Sequence, residues 1–235
     1  MTAHGGVAER AWREVAPWFD AIVAHPFVVG LRDGTLPEEV FARYLVDDAH
    51  YLDRYARVLA LLATRATDPD DVALLAASAS GAVAAERALH TDWLAGRGLV
   101  PDGPDAAEPT PTCRAYTGVL LEQAATASFD VGVAAVLPCF RVYAEVGRSI
   151  AATTRPEHPY AAWVATYADP VFDAAVTRAE ACLDRVVRDE DAVVAAYVTS
   201  TRFEWMFWDA AWRGEGWPDP QVSGGSRRGA THPRR

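Results

Sequence analysis

The 235-residue chain has no lysine and no asparagine: its 22 Lys-or-Arg positions are all arginine. Lysine's absence excludes every chemistry that needs a side-chain amine. A Schiff base, a pyridoxal-phosphate anchor, a Ser-Lys pair and a Walker A loop all go. The absence of asparagine excludes N-linked glycosylation. Cysteine is scarce. Cys113, Cys139 and Cys182 are odd in number, far apart and without CxxC spacing. That pattern argues for free thiols in a reducing compartment and against a disulfide framework or a zinc site. No apolar run approaches the roughly 18 residues of a membrane span, and the first residues mix Glu9, Arg10, Arg13 and Glu14 with no apolar leader core. The expectation is a cytoplasmic protein. A net charge of -10 disfavours nucleic acid and anionic membranes as partners. GxGxxG after a strand, HExxH and GxSxG are all missing.

What is present is helix after helix. Apolar residues make up 51% of the chain and recur at spacings of three and four, with no alternating strand pattern and no internal repeat. The pattern predicts helices over 7–24 (kinked or split at Pro17), from Pro37 to about Ala66, and from Asp68-Pro69 to about Gly96. Further helices are predicted over 112–126, 128–153 (interrupted by Pro138), 159–187 and 190–213. His25-Pro26 through Asp33-Gly34 reads as a turn region, and Pro101 to Pro111 as a loop. The expectation is one all-α domain of about seven helices over residues 7–215. Residues 216–235, rich in Gly, Pro, Ser and Arg, read as a disordered tail.

Four places could carry chemistry. Tyr44, Asp48, Tyr51 and Tyr55 are spaced four, three and four, so they share one face of the second helix beside Phe41, Leu52 and Leu59. An aspartate turned inward there needs a partner, because a buried unpaired carboxylate is costly. That partner is either a tyrosine holding two helices together or the amine of a bound ligand whose ring the aromatics would stack. Cys139 follows Pro138 directly, with Tyr143 one turn on. It is either a small packing residue or a nucleophile beside a kink where a cavity can open. Glu204 stands among Phe203, Trp205, Met206, Phe207 and Trp208. It either reaches solvent or an arginine, or it is buried and serves as a general acid with a raised pKa. Glu86 and His90, one turn apart, are either an ordinary polar pair or half of a carboxylate–histidine metal site, to which His50 and Glu204 would add. No repeated Glu-x-x-His pair supports the metal reading.

Taken in order, these pieces resemble one family. His25-Pro26-Phe27-Val28, Gly34-Thr35-Leu36, Tyr44-Leu45, Asp48 with Tyr51-Leu52, and Tyr55-Ala56-Arg57 are similar to the opening of TenA (thiaminase II) proteins. Ala115-Tyr116-Thr117 resembles their central segment, and Leu137-Pro138-Cys139 with Tyr143 and Glu145-Val146-Gly147 their nucleophile helix. His158-Pro159-Tyr160, Trp163 and Tyr167 follow, and Thr199-Ser200 with Phe203-Glu204 and Phe207-Trp208 resembles the closing helix. The likeness runs from about residue 10 to 215. Asp47 replaces a common Gln, His50 a frequent aromatic, and Arg141 closely follows the cysteine.

The resemblance implies a heme-oxygenase-like bundle without heme, usually a homotetramer, with no metal or organic cofactor. It implies hydrolysis of aminopyrimidines to the hydroxymethylpyrimidine and ammonia, for thiamin salvage, and cleavage of thiamin. Cys139 would be the nucleophile and Glu204 the acid/base. Asp48 would bind the ring nitrogen and amine of the pyrimidine. Tyr51, Tyr116, Tyr143, Tyr167 and Phe207 would line the pocket. Two other functions fit the same scaffold: a metal-dependent (di-iron) oxidase using Glu86 and His90, and a non-catalytic pyrimidine-binding protein.

Overall fold

A computed structural model describes residues 5–88, 108–152, 155 and 157–219. Among them the chain is helical, with no strand. In order the elements are α1 (Val7–Glu14), α2 (Ala16–Val23), α3 (Pro26–Asp33), α4 (Glu38–Arg65) and α5 (Pro69–Ala88). They continue with α6 (Pro111–Thr126), α7 (Phe129–Ala151), α8 (Ala161–Tyr167), α9 (Pro170–Val186) and α10 (Glu190–Arg213). No helix among the described residues is long and apolar enough to cross a membrane.

Among the described residues the seven predicted helices become ten, because proline starts helices here more often than it ends them. A proline at the first helical position loses only an N–H that has no partner there. Of the two outcomes expected at Pro17, the helix splits: Pro17 lies in the first turn of α2, after a break at Val15. The expected turn at 25–34 is α3: His25 caps it by accepting from the Phe27 N–H at 3.2 Å, Pro26 is its first residue, and Gly34 ends it at φ +71°. The expected helix over 159–187 divides at Asp169-Pro170, where the Asp169 carboxylate takes the Val171 N–H at 2.7 Å. Pro37 is the N-cap residue of α4 rather than part of its first turn. The far end of the third predicted helix and most of the 101–111 loop lie outside the described residues. So do residues 220–235 of the tail. Trp217, assigned above to that tail, donates its indole N–H to the Pro109 carbonyl at 3.0 Å.

The long α4 lies at the centre, with α5 along one side and α6, α7 and α10 around the other. The principal core gathers α3, α4, α6, α7, α8 and α10, and Tyr44, Tyr116 and Trp208 are fully buried in it. A second cluster seats α1 and α9 against the start of α7 and α10. Buried Asp130 on α7 accepts from the N–H groups of Arg188 and Asp189 at 2.7 and 3.3 Å. That clamp holds the entry of α10, which carries Glu204.

Gly147 sets how closely α7 and α8 approach. A Cβ there would stand 2.7 Å from the Tyr167 Cβ and 2.8 and 2.9 Å from its carbonyl carbon and oxygen. Backbone cannot swing aside as a side-chain tip does, so Gly147→Ala must part the helices. The expected cost is about 1–3 kcal/mol, a drop in Tm of roughly 2 to 12 °C by thermal melting. Gly118→Ala, where an added Cβ meets nothing within 4 Å, is the control and should hold or raise Tm. Equal melting of the two variants would refute the close-approach argument.

Candidate active site

The shared face of α4 turns inward as its spacing requires. Tyr44, Asp48, Tyr51 and Tyr55 are all buried, none more than 4% exposed. Each aromatic has a neighbour on another helix. Tyr51 packs on Tyr116 of α6 at 5.1 Å and edge-on against Phe207 of α10 at 5.6 Å. Tyr55 donates to the Val136 carbonyl of α7 at 2.8 Å, in the turn just before Pro138. Tyr44 accepts from the Trp163 indole at 3.3 Å and reaches the Tyr143 hydroxyl at 3.5 Å.

Asp48 is different, because one of its carboxylate oxygens, Oδ2, is buried with no hydrogen-bond partner. Burial first, and the Asp47 charge second, push its pKa up to about 7. Asp47 is itself committed elsewhere. It accepts from the Thr110 N–H at 2.9 Å and the Thr110 hydroxyl at 2.6 Å, and so ties the N-cap of α6 to α4.

Cys139 lies one residue past Pro138 on α7, free and half-buried. The hydroxyls of Tyr51 and Tyr55 face its sulfur and favour the thiolate, Tyr51 without full hydrogen-bond geometry. Burial outweighs them. With the Glu204 carboxylate acting in the same direction, it drives the thiol pKa well above its ordinary value. In the absence of substrate the sulfur is therefore a thiol. Glu204 neither reaches solvent nor meets an arginine. It is 2% exposed and accepts a 2.6 Å hydrogen bond from the Tyr116 hydroxyl. Burial pushes its pKa up to about 8, the Asp48 charge adds to the rise, and the Tyr116 bond opposes it. At neutral pH Glu204 is mostly a carboxylic acid with a proton to give.

Tyr143, one turn beyond the cysteine, packs on Tyr167 at 4.8 Å and on Trp208 at 5.4 Å, with Trp163 at 6.1 Å. The structure thus brings together all eight residues singled out from the sequence: Asp48, Tyr51, Tyr116, Cys139, Tyr143, Tyr167, Glu204 and Phe207. It adds Tyr44, Tyr55 and Trp163. The two tyrosines share the α4 spacing that revealed Asp48; Trp163 gave no signal beyond its place in the family resemblance. Arg141 points away, paired with Glu145 at 2.9 Å and Glu180 at 2.7 Å, and its guanidinium lies over the Trp12 ring. The Glu86 side chain and His90 lie outside the described residues. Among the described residues no group of three His, Cys, Asp or Glu is placed to hold a metal.

The arrangement can do acid–base and nucleophilic chemistry on a flat, basic ring. Aromatic faces surround a thiol, a proton-bearing carboxyl and a carboxylate oxygen awaiting a donor. A profile of the TENA/THI-4/PQQC family matches residues 12–214. The chain belongs to that family. It is 32% identical to the aminopyrimidine aminohydrolase of Bacillus subtilis strain 168, over 92% of this chain and 93% of that protein. It is 37% identical to the thiamine biosynthesis multifunctional protein ThiED of Corynebacterium efficiens over 91% of its own length, but spans only 29% of that longer protein. Among solved structures, the TenA homologue protein from P. horikoshii OT3 matches with a TM-score of 0.82 at 30% identity, over 89% of this chain and 100% of that one. A Shewanella denitrificans domain of unknown function with a heme oxygenase-like fold matches at 0.71 and 19% identity, over 95% and 98%. The all-α, heme-oxygenase-like fold expected of this family member is therefore the one it has.

Proposed function

We infer that this TenA-family chain hydrolyses aminopyrimidines, converting 4-amino-5-aminomethyl-2-methylpyrimidine and water to the hydroxymethylpyrimidine and ammonia in thiamin salvage. The observation that carries this reading is the convergence of three groups from three helices. They are the Cys139 sulfur, the raised-pKa Glu204 and the unpartnered Asp48 oxygen. Family membership and relatives named for this activity support it. We further propose that the protein works in the cytoplasm as a homotetramer, which light scattering of the purified chain would test.

The chemistry follows from the groups. A methylene-linked amine on an aromatic ring resists direct displacement. Addition of the Cys139 sulfur to a ring carbon breaks aromaticity. The thiol gives up a proton as the ring nitrogen facing Asp48 takes one up, so the buried charge is unchanged. The ring electrons then expel the amine as Glu204 protonates it, releasing ammonia. The cationic ring left behind is paired with Asp48. Water adds to the exocyclic methylene and returns a proton to Glu204. Loss of the sulfur with the ring proton restores both ring and thiol. The aromatic walls hold the ring flat and exclude bulk water.

Asp48→Asn tests the binding role. Asn keeps the shape but offers a donor where the protonated ring nitrogen needs an acceptor. The expected loss is about 1.5–3 kcal/mol, or roughly 10- to 150-fold in kcat/KM. An ammonia-release assay on the aminomethylpyrimidine reads it. Wild-type activity in this variant would remove Asp48 from the site, and no ammonia release by the unaltered protein would remove the function.

A further inference from the structure

A cleft of about 320 Å³ lies away from the residues just described, lined by Val119 and Gln123 of α6, Val131 and Ala135 of α7, and Ala192, Ala195, Ala196, Thr199 and Ser200 of α10. Its position is informative. Ala135 is one turn before Cys139, and Ser200 is one turn before Glu204. Val119 is one turn past Tyr116. On all three helices the cleft ends where the acid–base machinery begins, a distance of about 4.5–6 Å along each axis. Phe203, stacked on Tyr116 at 5.1 Å and 5°, stands at that junction.

Ser200 marks the inner end. It is 0% exposed, and its hydroxyl has no hydrogen-bond partner. Its neighbours show that this is not the rule on α10. Thr199 donates back to the Ala195 carbonyl at 2.8 Å and Thr201 to the Tyr197 carbonyl at 3.0 Å. A buried hydroxyl left open at the end of a cleft needs a small polar guest. The cleft has room for about ten waters at ~30 Å³ each. No charged side chain lines it, so it suits neutral molecules and offers nothing to a cation.

We propose that this cleft is the conduit by which water reaches Glu204 and neutral ammonia leaves it, with Ser200 as the inner hydrogen-bonding station. The proposal rests on the hydrolase reading, which needs exactly one water in and one ammonia out at Glu204 in each cycle.

Ala196→Leu, at a half-buried cleft position with a good helix former, is the plug. With enzyme in excess and acid quenching, ammonia formation in a single turnover should match the unaltered protein. Steady-state turnover should fall about tenfold, because delivery of water limits release of the pyrimidine. Intact mass should then show the pyrimidine adduct accumulating on Cys139. Ser200→Val should slow the same step several-fold more than the isosteric Ser200→Thr, which keeps the hydroxyl. Unchanged steady-state turnover in Ala196→Leu overturns the conduit. So does a parallel fall of both rates, which marks distortion of the site. If the unaltered protein forms no ammonia, the hydrolase reading fails and the conduit with it.

Discussion

Cys139→Ala is expected to lower aminopyrimidine turnover by at least about a thousandfold while leaving ligand binding within a few-fold of the unaltered protein. The asymmetry follows from the geometry. Binding depends on the Asp48 carboxylate and on rings held in place by contacts among themselves. None of these contacts passes through the sulfur. The reaction, in contrast, has no other nucleophile to fall back on. Cys113 is buried with its thiol directed to the Asp47 carbonyl at 3.5 Å, and burial pushes Cys182 up to about 12. The Cys139 thiol also titrates high, so its reactivity cannot come from a standing thiolate. It comes from coupling: the proton leaves the sulfur as the ring nitrogen gains one. Iodoacetamide should accordingly modify Cys139 slowly in the free protein, despite its partial exposure. Turnover at the wild-type rate in Cys139→Ala would refute the nucleophile assignment. Loss of binding together with turnover would show the cysteine to be a packing residue.

The α4 face was legible because helical spacing alone puts Tyr44, Asp48, Tyr51 and Tyr55 on one side, and apolar neighbours say which way that side turns. Glu204 was legible as an anomaly, a carboxylate inside an aromatic run. The identity of its partner was not. Tyr116 is 88 residues away, and its 2.6 Å bond depends on how α6 and α10 pack, which no local pattern encodes. Asp47 was noticed only as a departure from the family pattern. Its role in anchoring Thr110 needs the two segments to meet in space. Two helix starts were missed. His25-Pro26 was read as a terminator and Asp169-Pro170 as helix interior, yet at both the preceding side chain accepts a backbone N–H and makes proline the first residue of a new helix. Ser200 appeared only as part of a resemblance. That its hydroxyl goes unpartnered, unlike those of Thr199 and Thr201, is a property of packing and not of sequence.

Glu204→Gln should separate what the protein needs for chemistry from what it needs for stability. Gln keeps an oxygen to accept the Tyr116 hydrogen bond but has no proton to give the departing amine. The expected loss in kcat is about 100- to 1,000-fold. The pH profile of the unaltered protein provides the companion result. Asp48, with a pKa of about 7, must be ionised to pair with the ring nitrogen, and Glu204, at about 8, must be protonated. kcat/KM should therefore rise through the lower value and fall through the upper, giving a narrow maximum that belongs to the coupled pair. Glu204→Gln should lose the alkaline limb.

Stability should move the other way. In the folded protein Glu204 titrates above its ordinary 4.5, so between that value and about 8 the folded state holds a proton that the unfolded chain has released. The stabilisation from this group is complete below pH 4.5, is lost as pH rises, and is gone above about 8. Gln does not titrate. Denaturant unfolding at pH 5 should place the two proteins close together. At pH 8.5 the variant should be the more stable by a few kcal/mol, because it no longer buries a carboxylate near the Asp48 charge. A variant that is inactive and equally destabilised at both pH values would show Glu204 to be a structural residue. A variant inactive yet stabilised at alkaline pH would show that the buried carboxyl is kept for its proton, at a cost to the fold.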